Sequence, residues 1–212
     1  GMKVQPYKRG PDFIDSQSLS IAADKDSINL DAWMSSSTHT QHIYNRYGEQ
    51  ADACITEGTA ALFDGYRRMQ GSSAEIANIL NLPVILLVNA RMAGYSVAPL
   101  LYGYKHFYSG VHIAGVIFNQ VSSPAHYAHL REACSDTGLD CLGYLPVIEE
   151  VKLFPKHNAI SLANRRIIDE QANIVASQIE KSIDISRMLN RCNRNFPCQY
   201  TLPYYSDTED DM

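Results

Sequence analysis

The sequence predicts an α/β domain of three layers, α/β/α, with a doubly wound, mostly parallel sheet. Short apolar runs bounded by Gly, Pro or Asn alternate with longer stretches of helical spacing, the pattern of parallel strands joined by crossover helices. One run, Pro83-Val-Ile-Leu-Leu-Val-Asn89, is continuously apolar, which suits a strand covered on both faces in the middle of a sheet. With 212 residues, 45% apolar and 19% charged, the chain can bury one substantial core.

In chain order, strands are expected at 3–6, 53–57, 83–89, 112–119 and 140–145, where β-branched and aliphatic residues cluster between turn formers. Helices are expected at 36–50, 73–81, 94–107 and 124–137, the last opening on Ser123-Pro124, a cap and first-turn pair. Ile167, Ile168, Ile174, Val175, Ile179, Ile183 and Leu189 predict a long amphipathic region over 164–192, interrupted near Ser182-Ile183-Asp184. Residues 1–2 read as a tag remnant or start, 3–195 as one domain, and 196–212 as a Tyr-rich, then acidic, solvated tail.

A net charge of -5 with scattered basic residues gives no general attraction for nucleic acid. Neither a run of about 18 apolar residues nor a basic segment followed by an apolar one occurs, so the expected location is cytoplasmic, without membrane contact. Of five cysteines, Cys54, Cys134 and Cys141 are expected as buried small hydrophobes, and Cys192 and Cys198 as reduced thiols. The pairs His39/His42 and His126/His129 lack a third metal ligand at motif spacing and are expected in cap or solvent-facing roles. Tyr7, Tyr44, Tyr47, Tyr66, Tyr102 and Tyr104 read as core and rim packing, or as the lining of a pocket for a large planar ligand.

In doubly wound sheets ligands gather at the carboxyl ends of strands. The segment Val4-Gln-Pro-Tyr-Lys-Arg-Gly-Pro-Asp-Phe-Ile-Asp15 is expected to run from a strand directly into a loop holding Lys8, Asp12 and Asp15 around Gly10-Pro11. A lysine beside carboxylates can take phosphate and Mg2+ together. By itself the same segment also reads as a surface salt bridge in a turn.

An ordered series of motifs decides between these. Gln5 to Asp15, Asn29-Leu-Asp-Ala-Trp-Met34, Glu57-Gly-Thr-Ala-Ala-Leu-Phe-Asp-Gly65, Gly71 to Glu75, Pro83 to Arg91, and Ala114 to Asn119 with Ser122, Ser123 and His126 follow one another. Leu142-Gly-Tyr-Leu-Pro146, Leu153-Phe-Pro-Lys-His157 and Ile183 to Leu189 complete the series. Together they resemble the N-terminal ATP-dependent synthetase domain of the cobyrinic acid a,c-diamide synthase family, across residues 3 to 192. The resemblance implies a P-loop NTPase fold of the dethiobiotin synthetase-like type and a place in cobalamin biosynthesis. It further implies ATP-dependent amidation of corrinoid carboxylates through an acyl phosphate, with ammonia drawn from glutamine. Carried over to this chain, it puts Lys8 near the ATP phosphates, Asp12 and Glu57 on Mg2+, and Asn119 with Leu145 and Pro146 at the adenine. Asp15 and Asp64 would serve the reaction, and Asn29 and Asp31 the corrinoid.

The chain departs from the family in three ways. No Gly-x-x-x-x-Gly-Lys-Ser/Thr occurs, so the fold is expected to lack its first strand and helix. If about 300 to 500 Å2 of apolar area were uncovered beside the strand ending at Glu57, the cost would be on the order of 8 to 12 kcal/mol. A homodimer or a partner chain is therefore expected to cover that edge. There is no room for a glutaminase half, which would be a separate partner, and no cysteine sits in a Gly-flanked strand-to-helix turn. Gly58-Thr-Ala-Ala-Leu62, Asn89 and Lys156 stand where the family usually has Gly-Val-Met-Gly-Leu, an acidic residue and Arg. These changes leave a second expectation from another class, a non-catalytic corrinoid-binding or assembly module.

Overall fold

The computed structural model describes residues 1–151 and 162–193. Among them the order is β1 (Val4–Arg9), α1 (Phe13–Ala23), β2 (Ile28–Leu30), α2 (Ser37–Gly48), β3 (Ala53–Glu57), α3 (Ser73–Ile79), β4 (Val84–Asn89) and α4 (Val97–His106). It continues with β5 (Ile113–Val121), α5 (Pro124–Thr137), β6 (Cys141–Pro146), α6 (Leu162–Ser182) and α7 (Ile185–Arg191). The motif around Lys156 and His157, Cys198 and the 196–212 tail lie outside the described residues.

The α/β class and the parallel strands are as the sequence indicates. The strands form two three-stranded parallel sheets, ordered β2-β1-β3 and β4-β5-β6. The chain divides into two compact units, Gly1–Leu80 carrying the first sheet, and a second, starting at Asn81, carrying the other. No helix among the described residues is long and apolar enough to cross a membrane.

In the first unit β1 is the central strand, and it extends past the expected 3–6 to Arg9. Ladder pairing explains the extension: Lys8 lies opposite Asn29 of β2 and Glu57 of β3, and Arg9 opposite Leu30. The short β2 and the helix α1 were not foreseen. Because Phe13 and Ile14 of α1 are exposed, that helix has no apolar stripe to read. Its legible signal was the start: Asp12 caps it, accepting hydrogen bonds from the N–H groups of Ile14 and Asp15, both at 3.0 Å. Gly10, at φ 82, makes the turn that lets β1 pass into α1. Tyr7 is fully buried, stacks on Tyr44 at 4.5 Å and donates to the Tyr44 carbonyl at 2.6 Å. Tyr47, Tyr66 and Tyr102 are exposed.

In the second unit the central strand is β5, whose Val116 and Phe118 are fully buried. Each such side chain contributes about 1.5 to 3 kcal/mol over its exposed state. The run at 83–89, expected in the middle of a sheet, is instead the edge strand β4, and Leu87 is 64% exposed. A continuous apolar run reports hydrophobicity on both faces and is silent about which neighbours bond to the strand. The interruption expected near 182–184 is present. Asp184 caps α7 by accepting from the Arg187 N–H at 2.9 Å, while its own N–H donates to the Leu142 carbonyl at 2.9 Å. Ile183 packs with Ile117 and Leu142. Cys134 is buried as expected, but Cys54 and Cys141 are only half-buried.

Candidate functional site

The order β2-β1-β3 means that the chain leaves β1 toward one side and returns with β3 on the other. The carboxyl ends of β1 and β3, the end at which such folds bind ligands, therefore lie side by side. Lys8 occupies that position. Its side chain is 2% exposed, and its ammonium bonds Asp15 Oδ2 at 2.9 Å, Glu57 Oε2 at 3.3 Å and the Gly58 carbonyl at 3.3 Å. Three acceptors match its three protons. Burial disfavours the charged amine, but the Asp15 hydrogen bond and the Glu57 and Asp15 charges outweigh it and hold the Lys8 pKa above its ordinary value.

The surrounding loops are tied down by the other polar residues singled out in the sequence. Asp12 is held below the usual carboxylate range. Burial alone would raise it, but the N–H groups of Asp15 and Ile14 and the Lys8 charge act more strongly together. Asn29 donates to the Gly10 carbonyl at 2.6 Å and the Asp12 carbonyl at 3.0 Å, fastening the β1–α1 turn to β2. Asp31 Oδ1 accepts from the N–H groups of Trp33 at 2.8 Å and Met34 at 3.2 Å, a local turn contact. Asp64 is exposed, and its N–H donates to the Ala61 carbonyl at 3.1 Å. The structure thus brings Lys8, Asp15 and Glu57 together, sets Asp12 and Asn29 in the adjoining turn, and does not join Asp31 or Asp64 to them.

Beside this cluster an open cavity of about 340 Å3 is lined by Arg9, Gly10, Pro11, Asp12, Phe13, Ile14 and Thr59. Sequence reasoning missed Arg9 and Thr59 as lining residues. Thr59 Oγ1 donates to the Arg9 carbonyl at 2.8 Å and so joins the loops after β1 and β3. An added Cβ at Gly58 would lie 2.7 Å from Ser73 Oγ, so a larger residue there would have to displace that hydroxyl. That Ser73 hydroxyl in turn accepts from the Thr59 N–H at 3.1 Å. The Glu57-Gly58-Thr59 motif was the available signal.

The remaining predicted residues belong to the second unit. Asn119 of β5 is paired with Asn89 on one side and Leu145 on the other, and Val121 continues the ladder to Pro146. Its carboxamide oxygen accepts from the Gln120 N–H at 2.8 Å, which fixes the amide plane; Gln120 itself has φ 61. Leu145 and Pro146 close β6. His126 is a clamp. Its Nδ1 accepts from the Ser122 N–H at 3.2 Å, so Nε2 carries the proton and donates to the Ala93 carbonyl at 2.6 Å. This joins the loop after β4 to the start of α5.

Residues 14–153 match the family described as AAA domain, and the chain belongs to that family. Within that class, three similar curated proteins share one name. The chain is 37% identical over 194 residues to the cobyrinate a,c-diamide synthase of Syntrophotalea carbinolica, covering 90% of this chain and 42% of the relative. It is 36% identical over 214 residues to that of Dehalococcoides mccartyi, covering 96% and 46%. To that of Salmonella typhimurium it is 33% identical over 193 residues, covering 89% and 42%. The resemblance read from the motifs is thereby shown, and the chain spans less than half the length of these relatives.

Proposed function

We propose that this chain is the nucleotide-handling part of a cobyrinate a,c-diamide synthase-like protein, one that uses Mg-ATP to activate corrinoid side-chain carboxylates for amidation. The observation that carries the reading is the Lys8–Asp15–Glu57 cluster at the carboxyl ends of β1 and β3. Two carboxylates and one ammonium leave a formal charge of about -1, which suits a divalent cation better than a bare phosphate. Among the described residues no three His, Cys, Asp or Glu side chains gather as a metal site. This chain would therefore offer Mg2+ only the carboxylates of Glu57 and Asp15, whose side-chain exposures are 46% and 36%, and nucleotide phosphate and water would supply the other oxygen ligands. Asp15 and Glu57, with Asp12 beside them, would hold the metal, which when bound would supply charge neutralisation for phosphoryl transfer.

The chain's own residues do the rest. Lys8, kept protonated by its partners, presents a fixed cation at the strand ends. Asn29 and Thr59 hold the two flanking loops in register, and Asp12 holds the start of α1. Asn119, with Leu145 and Pro146, is assigned to the adenine, and Asp31 and Asp64 to loops that meet the corrinoid. Ammonia would come from a glutaminase, and the protein would act in the cytoplasm. A homodimer or a partner chain is assigned to the open edge of β3, where Ile55 is 53% exposed.

Thermal unfolding with Mg-ATP, Mg-ADP and a non-hydrolysable analogue tests this reading. Ligand at about 100 times its dissociation constant stabilises by roughly 2.7 kcal/mol, a rise of about 5 to 10 °C for a chain of this size. No rise with any of the three, in a sample whose folding is verified, overturns nucleotide binding by this chain. Titration with a corrinoid acid, followed by its visible absorption, is expected to give a saturable change. Its absence with nucleotide present would remove the corrinoid assignment.

A further inference from the structure

At the carboxyl ends of β1, β2 and β3 the first unit carries a second group of side chains, apart from the Lys8–Asp15–Glu57 cluster. Trp33, in the turn after β2, and Tyr66, in the loop after β3, meet edge to face with ring centroids 6.3 Å apart. Both face water, at 69% and 64% exposure, and Phe13 at the start of α1 is 75% exposed. Large apolar side chains held out to water beside a strand-end cavity mark a surface that a ligand can cover. Backbone hydrogen bonds hold these rings in place. The Trp33 N–H is bound by Asp31, and Tyr66 stands in a tight loop closed by its N–H donating to the Gln70 carbonyl at 3.0 Å.

Arg9 ends β1, is half-buried, and lines the open cavity together with Phe13. A Cβ added to Gly71, which has φ 74, would lie 3.5 Å from an Arg9 guanidinium nitrogen and 2.9 Å from the Tyr66 ring, so cation and ring are neighbours across that glycine. Arg67 and Arg68 follow Tyr66 in the loop, both exposed. Among the described residues none of these three arginines forms an ion pair, whereas Lys8 forms two. The nearby carboxylates are partly engaged. Asp12 accepts from the N–H groups of Ile14 and Asp15, and Asp31 from those of Trp33 and Met34, while Asp64 is an exposed charge that offsets one arginine. The surplus is positive, and guanidinium groups without a protein carboxylate recognise planar oxyanions.

We propose that Arg9, Tyr66 and Trp33, with Arg67 and Arg68 at the rim, form a subsite for a flat macrocycle bearing several free carboxylates, the ring lying on the aromatic side chains and the carboxylates on the arginines. The subsite deepens the corrinoid reading given above and rests on it. A nucleotide brings phosphate and one small base, which leaves most of this apolar surface in water. A corrin ring is large enough to cover it, and its peripheral carboxylates match arginines that have no carboxylate of their own. Arg9 is the residue that sets specificity. Its planar fork takes a carboxylate through two parallel hydrogen bonds, whereas a carboxamide offers one oxygen and no charge. A corrin whose side chains are already amidated is therefore held less tightly.

Trp33 is the only tryptophan of the chain, so its fluorescence reports on this surface. Titrating the complete chain with a corrinoid acid is expected to quench it saturably, and the same corrin with amidated side chains should bind about tenfold or more weaker. Phenylglyoxal modification, read residue by residue by mass spectrometry, locates the carboxylates. Corrinoid acid at about ten times its dissociation constant should slow the labelling of Arg9 about tenfold and leave that of Arg46, exposed on α2, unchanged. In Arg9→Gln the preference for the acid over the amidated corrin should shrink about tenfold. If corrinoid acid gives a saturable change in its own visible absorption yet leaves Arg9 labelling unchanged, the subsite is overturned and the corrinoid reading stands. Protection of Arg9 by Mg-ATP alone would assign the arginines to phosphate and overturns the subsite as well. No binding of corrinoid acid by either readout overturns both. Ligand preference and labelling are measured on the parent chain and so do not depend on a variant folding.

Discussion

β1 and β5 are each the middle strand of a three-stranded parallel sheet, yet they fill their interiors differently. β1 buries Gln5, Pro6, Tyr7 and Lys8, whereas the buried side chains of β5, Ile113, Ala114, Val116, Ile117, Phe118 and Val121, are all apolar. Among the described residues, the buried side-chain atoms without a hydrogen-bond partner, Gln5 Oε1, Ser27 Oγ, Asn45 Nδ2 and Thr56 Oγ1, all belong to the first unit. An apolar strand interior stabilises without directional demands, while a polar one costs stability wherever a partner is missing. The unit that holds the Lys8–Asp15–Glu57 cluster thus places polar and charged groups inside its sheet, and the central strand of the second unit has an apolar interior. Departures from apolar packing are expected at functional sites.

The largest expected effect lies on the apolar side. Phe118→Ala should cost about 3 to 5 kcal/mol, read as a fall in the urea midpoint, because it empties a fully buried ring site. Lys8→Met sharpens the contrast. Breaking a buried ion pair costs about 3 to 5 kcal/mol where the partner stays buried, but Asp15 and Glu57 can turn to solvent, so about 2 kcal/mol is expected. Its distinguishing result is loss of the Mg-ATP-dependent rise in melting temperature. The pH sign follows from the raised Lys8 pKa: its contribution is complete below the ordinary value of 10.5 and is lost as pH rises through the higher folded value. The alkaline loss of stability should therefore be shallower in Lys8→Met.

Smaller effects follow in turn. Tyr7→Phe removes the bond to the Tyr44 carbonyl and should cost about 1.5 kcal/mol by chemical denaturation. Asp12→Ala removes the cap of α1 and should cost about 1 kcal/mol. With a lowered pKa, the Asp12 contribution is present above its ordinary value of 3.8 and is lost as pH falls through the depressed one. Parent and Asp12→Ala stabilities should converge in acid for that reason. Leu87→Lys, at an exposed position of β4, should change stability by no more than about 0.5 kcal/mol. A loss above about 2 kcal/mol, with a change in oligomeric mass by light scattering, would show that this edge is covered in solution.

Much of the fold was legible because helices and buried strands leave periodic marks. The strand ending at Glu57, the helix capped by Ser123 and the break before Asp184 are read directly from side-chain type and spacing. The helix α1 was not, since its apolar residues Phe13 and Ile14 face outward and its start is marked by a cap alone. For the candidate site, the motif from Gln5 to Asp15 identified the segment but misjudged its shape, placing Lys8 in a loop rather than inside a strand.

The sequence by itself determined the family, the α/β class and the identity of the charged residues that the motifs share, because these depend on residue type and order. Tertiary structure alone decided that Lys8 is buried between Asp15 and Glu57, that Asn29 and Thr59 fasten the neighbouring loops, and that His126 ties the loop after β4 to α5. Each of these contacts joins residues on different elements, and its geometry is set by strand pairing and helix docking, which leave no local mark in the chain.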